Sequence, residues 1–316
     1  MKVSVCIPVY KAEKLIERCA RSLFEQTLKD GIEFIFVDDC SPDESIDVVK
    51  RVLEEYPERQ TQVKFLRNAT NSGQTLSRMA AFEAAQGDYV ICCDSDDWVD
   101  KDLYAQMLAK AEAEKLDIVY CPVSCWIDDR QVRRSVVRAE SVPQLFGDWF
   151  CREGFNVVWN KLVAAPIAKR RQKILMDKPG VGEDLIMVLQ WLAQAHRVGF
   201  VDSAAYHYVQ VRNLKSMSKQ YAFSEVEWRI QAVESLIGRD YPECVSHYKH
   251  CHLLEVIKHR AVGRRTYRKL WPDVNNFRSI LSDKLLSKPR KFALCGARLF
   301  WWPTCVLTAF LKRLMP

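Results

Sequence analysis

Between residues 3 and 123 the chain alternates two kinds of apolar pattern. Short runs such as FIFV at 34–37 and YVICC at 89–93 are continuously apolar, as strands covered on both faces require. The longer segments between them, among them AEKLIERCARSLFEQTL and DESIDVVKRVLEEY, repeat apolar residues at i, i+3 and i+4, the period of an amphipathic helix. Strand-like KVSVCIP, EFIFVDD, QVKFLRN, DYVICCD and DIVYCPV therefore alternate with helices. The pattern predicts an α/β fold, a mostly parallel mixed sheet with helices on both faces and right-handed crossovers.

Beyond residue 130 the pattern loosens into aromatic-rich loops and short strands up to 165. GEDLIMVLQWLAQA then reads as a helix and RVGFVDSAAYHYVQ as a strand pair. Ser41-Pro42 with acidic residues behind it marks a helix start. From 216 onward the sequence is helical and basic, which sets the expected division: residues 1–215, with halves of about 1–100 and 101–215, and an extension over 216–316.

Charge sharpens that division. The net charge is +7, but residues 216–316 hold 18 Lys and Arg against 8 Asp and Glu, leaving 29 against 32 in the front part. Composition, 48% hydrophobic and 28% charged, is that of a globular chain. The N-terminus MKVSVCIPVYKAEK has no signal-peptide h-region, and the 12 cysteines have neither CxxC pairs nor the spacing of a disulfide framework. The expectation is a cytoplasmic chain with reduced cysteines.

Ligands of an open parallel sheet bind outside the carboxyl ends of its strands. Three such ends carry chemistry here: Pro8-Val9-Tyr10, Asp38-Asp39 and Asp94-Ser95-Asp96-Asp97. Asp39 is placed to meet the base or ribose of a nucleotide, although a turn or cap role fits Asp38 and Asp39 alike. Crowded carboxylates raise one another's pKa unless a cation lies between them. Oxygen-only ligands suit Mg²⁺ or Mn²⁺, which take one or two carboxylates, waters and substrate phosphate oxygens.

VSVCIPVYKAEKLIERCARSLFEQT, FIFVDDCSPDES, NSGQTLSRMAAFEAAQGDYVICCDSDDW and GEDLIMVLQW, in that order, resemble the family 2 glycosyltransferases of the GT-A fold over residues 3 to about 218. The resemblance implies an inverting transfer of one sugar from a nucleoside-diphosphate sugar, with UDP the expected carrier, to a glycan or lipid-linked acceptor in cell-surface polysaccharide synthesis. It further implies that Pro8, Tyr10, Asp39, Arg78 and Asp94 form the nucleotide site, that Asp96 holds the metal, and that Asp184 is the base beside Glu183 in the acceptor site. The chain departs from the family pattern at Ser77-Arg78-Met79 and Ala81, and it lacks the QxxRW motif of processive members.

Apart from the resemblance, Glu183 and Asp184 also suit the positive end of a helix dipole. Trp159 in FNVVWNKL offers a ring face to a sugar, and fits a core position equally. His207, Arg212 and Ser216 are candidates for a loop closing on the diphosphate. Cys244, His247 and Cys251 fall on one helix face, but a structural zinc site needs a second pair that is missing. The C-terminal apolar run, Leu299 to Leu311, is 13 residues long between Arg298 and Lys312. It is too short to span a bilayer and suits an interfacial helix on anionic lipid, on the inner face of the cell membrane. Nucleic-acid binding lacks any recognised module. A sugar-nucleotide pyrophosphorylase-like nucleotidyltransferase is disfavoured by the absence of a Gly-rich loop after the first strand. A catalytically inactive binding protein would differ from a transferase in releasing no nucleotide from a sugar donor.

Overall fold

The computed structural model describes residues 1–127, 130–150, 154–170, 182–210, 223–259 and 261–300. The chain forms two compact units, Met1–Leu214 and Lys215–Pro316.

In the first unit, strands β1 (Val3–Val9), β2 (Ile32–Asp38), β3 (Val63–Arg67), β4 (Tyr89–Cys92), β6 (Ile118–Tyr120), β9 (Lys161–Ala164) and β10 (Val198–Phe200) build one sheet of order β10-β6-β9-β4-β1-β2-β3. Its pairings are parallel except that β9 runs antiparallel to both β4 and β6. β1 and β2 are buried at every position, which is why their sequences are mostly apolar without alternation, with Ser4, Glu33 and Asp38 as buried polar exceptions. Helices α1 (Ile16–Phe24), α2 (Ser45–Glu54), α3 (Gln74–Ala84) and α4 (Leu103–Glu114) connect the strands.

Strands β5 (Trp98–Val99), β7 (Val123–Ile127), β8 (Arg130–Ser135) and β11 (Tyr206–Gln210) form a second sheet of order β5-β11-β7-β8. RVGFVDSAAYHYVQ is therefore no hairpin: β10 closes the edge of the main sheet and β11 joins the small one. Four-residue apolar runs carry no signal of which sheet they will enter. Helix α5 (Glu183–Leu192) follows Gly182, whose φ of +67° is a left-handed conformation that glycine takes without strain. The described cysteines are free thiols.

The second unit is helical among its described residues, with α6 (Phe223–Ile237), α7 (Pro242–His259), α8 (Phe277–Ser282) and α9 (Lys288–Phe300). Leu253, Ile257, Tyr267, Ile280, Leu294 and Ala297 lie in its apolar core. No described helix is long and apolar enough to cross a membrane. The expected interfacial run lies outside the described residues from 301 onward.

Candidate active site

The carboxyl ends of β1, β2 and β4 are adjacent, because β1 pairs in parallel with both neighbours. Pro8 is buried in β1, and Tyr10 just beyond it is 42% exposed with the Lys11 ammonium over its ring. The two aspartates after β2 divide the local work. Asp38 accepts from the Ser41 N–H in a turn at 2.7 Å, while Asp39, buried, takes the N–H groups of Ser72 and Gly73 at 2.8 Å each and the Asn68 amide at 2.7 Å. Asp39 thus shapes the loop in which Gly73 adopts a φ of +86°.

Four acidic residues near the end of β4 have four different environments. Asp94 Oδ1 accepts from Arg78 at 2.7 Å and from the Gln74 amide at 2.9 Å. Asp97 is buried, accepting from the Tyr206 hydroxyl at 2.7 Å and the Val209 N–H at 2.8 Å; burial and its acidic neighbours push its carboxyl well up. Asp100 takes the Ala205 N–H and His207, both at 2.8 Å. Asp96 is exposed, and among the described residues its carboxylate has no donor other than its own backbone N–H. Although the residue reaches solvent, the protein crowded around its carboxylate and the Asp94 charge push it up to about 6.

Arg78 joins this group to the far end of the sequence. Its guanidinium, 1% exposed, donates through Nη2 to Asp94 and through Nη1 to Asp184 Oδ1, each at 2.7 Å. Asp184 sits in the first turn of α5 with Glu183 beside it. Burial raises the Asp184 carboxyl and Arg78 pulls it back, leaving a net upward shift; burial and Asp184 also raise Glu183. Gln74 and Arg78, four residues apart, meet Asp94 from one face of α3.

Residues that sequence reasoning passed over hold this arrangement. The Tyr206 hydroxyl accepts the Asp94 N–H at 3.0 Å while donating to Asp97, so it fixes the acidic turn from β11. Trp159 is buried against it, rings 4.3 Å apart and stacked, with Tyr208 stacked at 5.5 Å. Lys161, next but one to Trp159, is buried with Gly154 O, Val157 O and Asn160 Oδ1 as acceptors, and burial pulls it down to about 7. The signal for Tyr206 was the alternation of AYHYVQ, which puts it and Tyr208 on one strand face.

His207 lies elsewhere. Its Nδ1 accepts from the Trp126 indole and its Nε2 donates to Asp100, both at 2.8 Å, and its ring stacks on Trp98 at 3.4 Å. Both nitrogens are engaged, one by Trp126 of the small sheet and the other by Asp100 just past β5. Arg212 and Ser216 lie outside the described residues. Beside Asp96 a groove of about 1050 Å³ opens, lined in part by Lys14, Arg18, Trp98, Lys101 and Gln210.

Among the described residues no three His, Cys, Asp or Glu side chains converge on a ready-made metal position. The donor set nevertheless fits a hard divalent cation: oxygen only, with one unclaimed carboxylate beside another, as suits an ion that keeps most of its ligands from water and phosphate. In the second unit, His247 is bonded to Asp283, and no zinc cluster forms there among the described residues.

The architecture is that of the GT-A glycosyltransferases. It superposes on the crystal structure of Staphylococcus aureus TarS 1–349 in complex with UDP-GlcNAc with a TM-score of 0.70 at 19% identity, covering 94% of this chain and 87% of that one. The sequence profile of Glycosyl transferase family 2 matches residues 4–163, and the chain belongs to that family and is a glycosyltransferase. Relatives include the uncharacterized glycosyltransferase EpsJ of Bacillus subtilis (strain 168), 27% identical over 78% of this chain and 70% of the relative. A cholesterol galactosyltransferase of Borreliella burgdorferi is 29% identical over 78% of this chain and 71% of its own length.

Proposed function

We propose that the protein is an inverting, metal-dependent enzyme that moves one sugar from a nucleoside-diphosphate sugar to a hydroxyl of a glycan or lipid-linked acceptor in cell-surface polysaccharide synthesis. The observation that carries this reading is Arg78, which ties Asp94, behind β4, to Asp184, at the start of α5, within hydrogen-bonding distance of both. A donor-side carboxylate and a candidate base thereby share one buried cation, next to the unclaimed Asp96. UDP is the proposed carrier, supported by the UDP-GlcNAc complex of the TarS structure.

In this reading Tyr10 offers its exposed ring to the nucleobase, Pro8 and the Asp39-held loop form the wall behind it, and Asp94 meets the ribose. Asp96 would hold Mg²⁺ or Mn²⁺, which supplies Lewis-acid neutralisation of the leaving diphosphate. Asp184 removes the acceptor hydroxyl's proton from the face of the sugar opposite the diphosphate, so the configuration inverts. Arg78 opposes the upward pull of burial on Asp184 and holds its Oδ1, leaving the other oxygen to receive the proton. Glu183 lines the acceptor site, whereas Trp159, buried and stacked on Tyr206, backs the acidic turn and does not offer a ring face to a sugar.

A panel of nucleotide-sugars tested for Mn²⁺-dependent protection against thermal unfolding checks the donor site. The matching donor with Mn²⁺ raises the melting temperature of the native chain, and Asp96→Ala loses most of the Mn²⁺-dependent part. An equal increment in Asp96→Ala rejects the metal assignment.

The second part of the proposal is peripheral attachment to an anionic membrane surface through the basic second unit. It is supported by α9, where Phe292 is 69% and Leu299 50% exposed on a helix that also carries Lys288, Arg290, Lys291 and Arg298. A lipid acceptor, as the name of the Borreliella relative states for that protein, is consistent with such a surface.

A further inference from the structure

Lys161 opens β9 with a side chain 1% exposed, and its ammonium is bonded to three uncharged acceptors: Gly154 O at 3.0 Å, Asn160 Oδ1 at 2.7 Å and Val157 O. An ammonium has three donors and no acceptor, so the charged form alone satisfies all three oxygens; the neutral amine turns a lone pair towards one of them. The same contacts close the turn at 154–160. Gly154, at a φ of +81°, gives its carbonyl to Lys161 and to the Asn160 amide at 3.1 Å, and Asn160 O accepts the Cys121 N–H at 3.0 Å. Trp159 lies in this turn, stacked on Tyr206, whose hydroxyl holds both Asp94 and Asp97.

Three titratable groups act on the ammonium. Tyr120, its partner across β6, places a ring centroid 4.7 Å from Nζ, Cys121 follows in the chain, and Asp184 acts from the start of α5. Burial raises the Tyr120 hydroxyl and pushes the Cys121 thiol up to about 12, so both stay neutral over the working range. Asp184 is the anion of the set, and the influence is mutual: it favours the charged ammonium, and Lys161 opposes the upward pull of burial on Asp184. Burial is the larger effect on Lys161 and pulls it down to about 7.

We propose that Lys161 is a positioning residue for the transfer, a proposal that rests on the reading of Asp184 as the base: its ammonium latches the 154–160 turn behind the acidic turn and opposes protonation of Asp184. Loss of that proton leaves one acceptor of the turn unmet and withdraws a cation from the base. Activity therefore has two limits, a lower one where Asp184 takes up a proton and an upper one where Lys161 gives its proton up.

The latch is tested on the full chain carrying carbon-13 at lysine Cε. One lysine resonance is expected to titrate near pH 7, and to be missing from Lys161→Met or, should that variant fail to fold, from Lys161→Arg. The near-UV ellipticity of the aromatic stack changes with the same midpoint in the native chain. Lysines that all titrate above about pH 9, or an ellipticity that does not follow the transition, overturn the proposal without recourse to activity. Transfer from the donor found by the nucleotide-sugar panel gives the second readout: the native kcat falls about tenfold per pH unit above the midpoint. In Lys161→Met that alkaline limb disappears and the acid limb moves to higher pH, with the donor KM within about twofold of native. A kcat lowered equally at every pH, with both limbs in place, reduces Lys161 to scaffolding and overturns its part in the reaction. Absence of transfer from any donor rejects the proposed donor chemistry instead, and the titration alone then decides on the latch.

Discussion

Arg78 lies between two carboxylates with almost no access to water, and its removal affects them unequally. Asp94 retains the Gln74 amide, while Asp184 loses its bonded cation and is left with the weaker influence of Lys161. Arg78→Met keeps most of the volume and is expected to destabilise the chain by about 2–4 kcal/mol, a broken buried ion pair discounted for partial exposure of both acids. Urea unfolding measures it. The pH profile of transfer gives a second, sharper readout. Asp184 must be ionised to act as a base, and burial already raises its pKa. Arg78 is the main influence holding that rise in check, so without it the acid limb of the activity profile moves to higher pH. An unmoved acid limb in a folded Arg78→Met variant would separate Asp184 from the base role.

At the level of elements, β1, β2 and β4 are locked at the ends remote from the site. The buried Glu33 of β2 accepts from the Ser4 hydroxyl of β1 and from the Gln86 N–H, both at 2.6 Å, and Ser4 Oγ in turn receives the Gly87 N–H at 2.8 Å. Gly87 is required there because a Cβ would come within 2.7 Å of Ser4 N and 2.8 Å of Tyr89 O, backbone atoms that cannot move aside. Gly87→Ala is expected to cost about 2–3 kcal/mol, whereas Gly147→Ala, facing open space, stays within about 0.5 kcal/mol; parallel denaturation curves compare them. This lock was only partly legible in the sequence. Buried strands announced themselves, because a strand covered on both faces must be largely apolar, and their ends located Asp39, Asp94 and Asp96. The direction of β9 and the separation of β10 from β11 depend on partners distant in the chain, which a local period does not encode. The same limit hid the division among the acids: Asp97 and Asp100 look like further ligands in DSDDWVD, yet Tyr206, Val209, Ala205 and His207 claim them from more than a hundred residues away.

The charge of the whole molecule is divided as its fold is, a front part near neutrality and a rear part with the basic surplus. In the second unit the surplus coincides with apolar exposure: α9 buries Ala293, Leu294 and Ala297 in the core while Phe292 and Leu299, seven residues apart, face outward. That geometry decides how membrane attachment is tested. Deleting α9 strips Leu294 from the core it shares with Leu253 and Ile257 and confuses loss of binding with loss of folding, so the outward face alone is changed. Phe292→Ser with Leu299→Ser removes exposed apolar area without touching the core, and fold stability is expected to stay within about 0.5 kcal/mol. Each large side chain placed in an interface contributes about 1.5–3 kcal/mol when fully buried. Co-sedimentation of the double variant with anionic vesicles is therefore expected to fall at least tenfold, and binding of the native chain to fall with added salt as the cations are screened. Vesicle binding that survives both changes places the attachment away from α9.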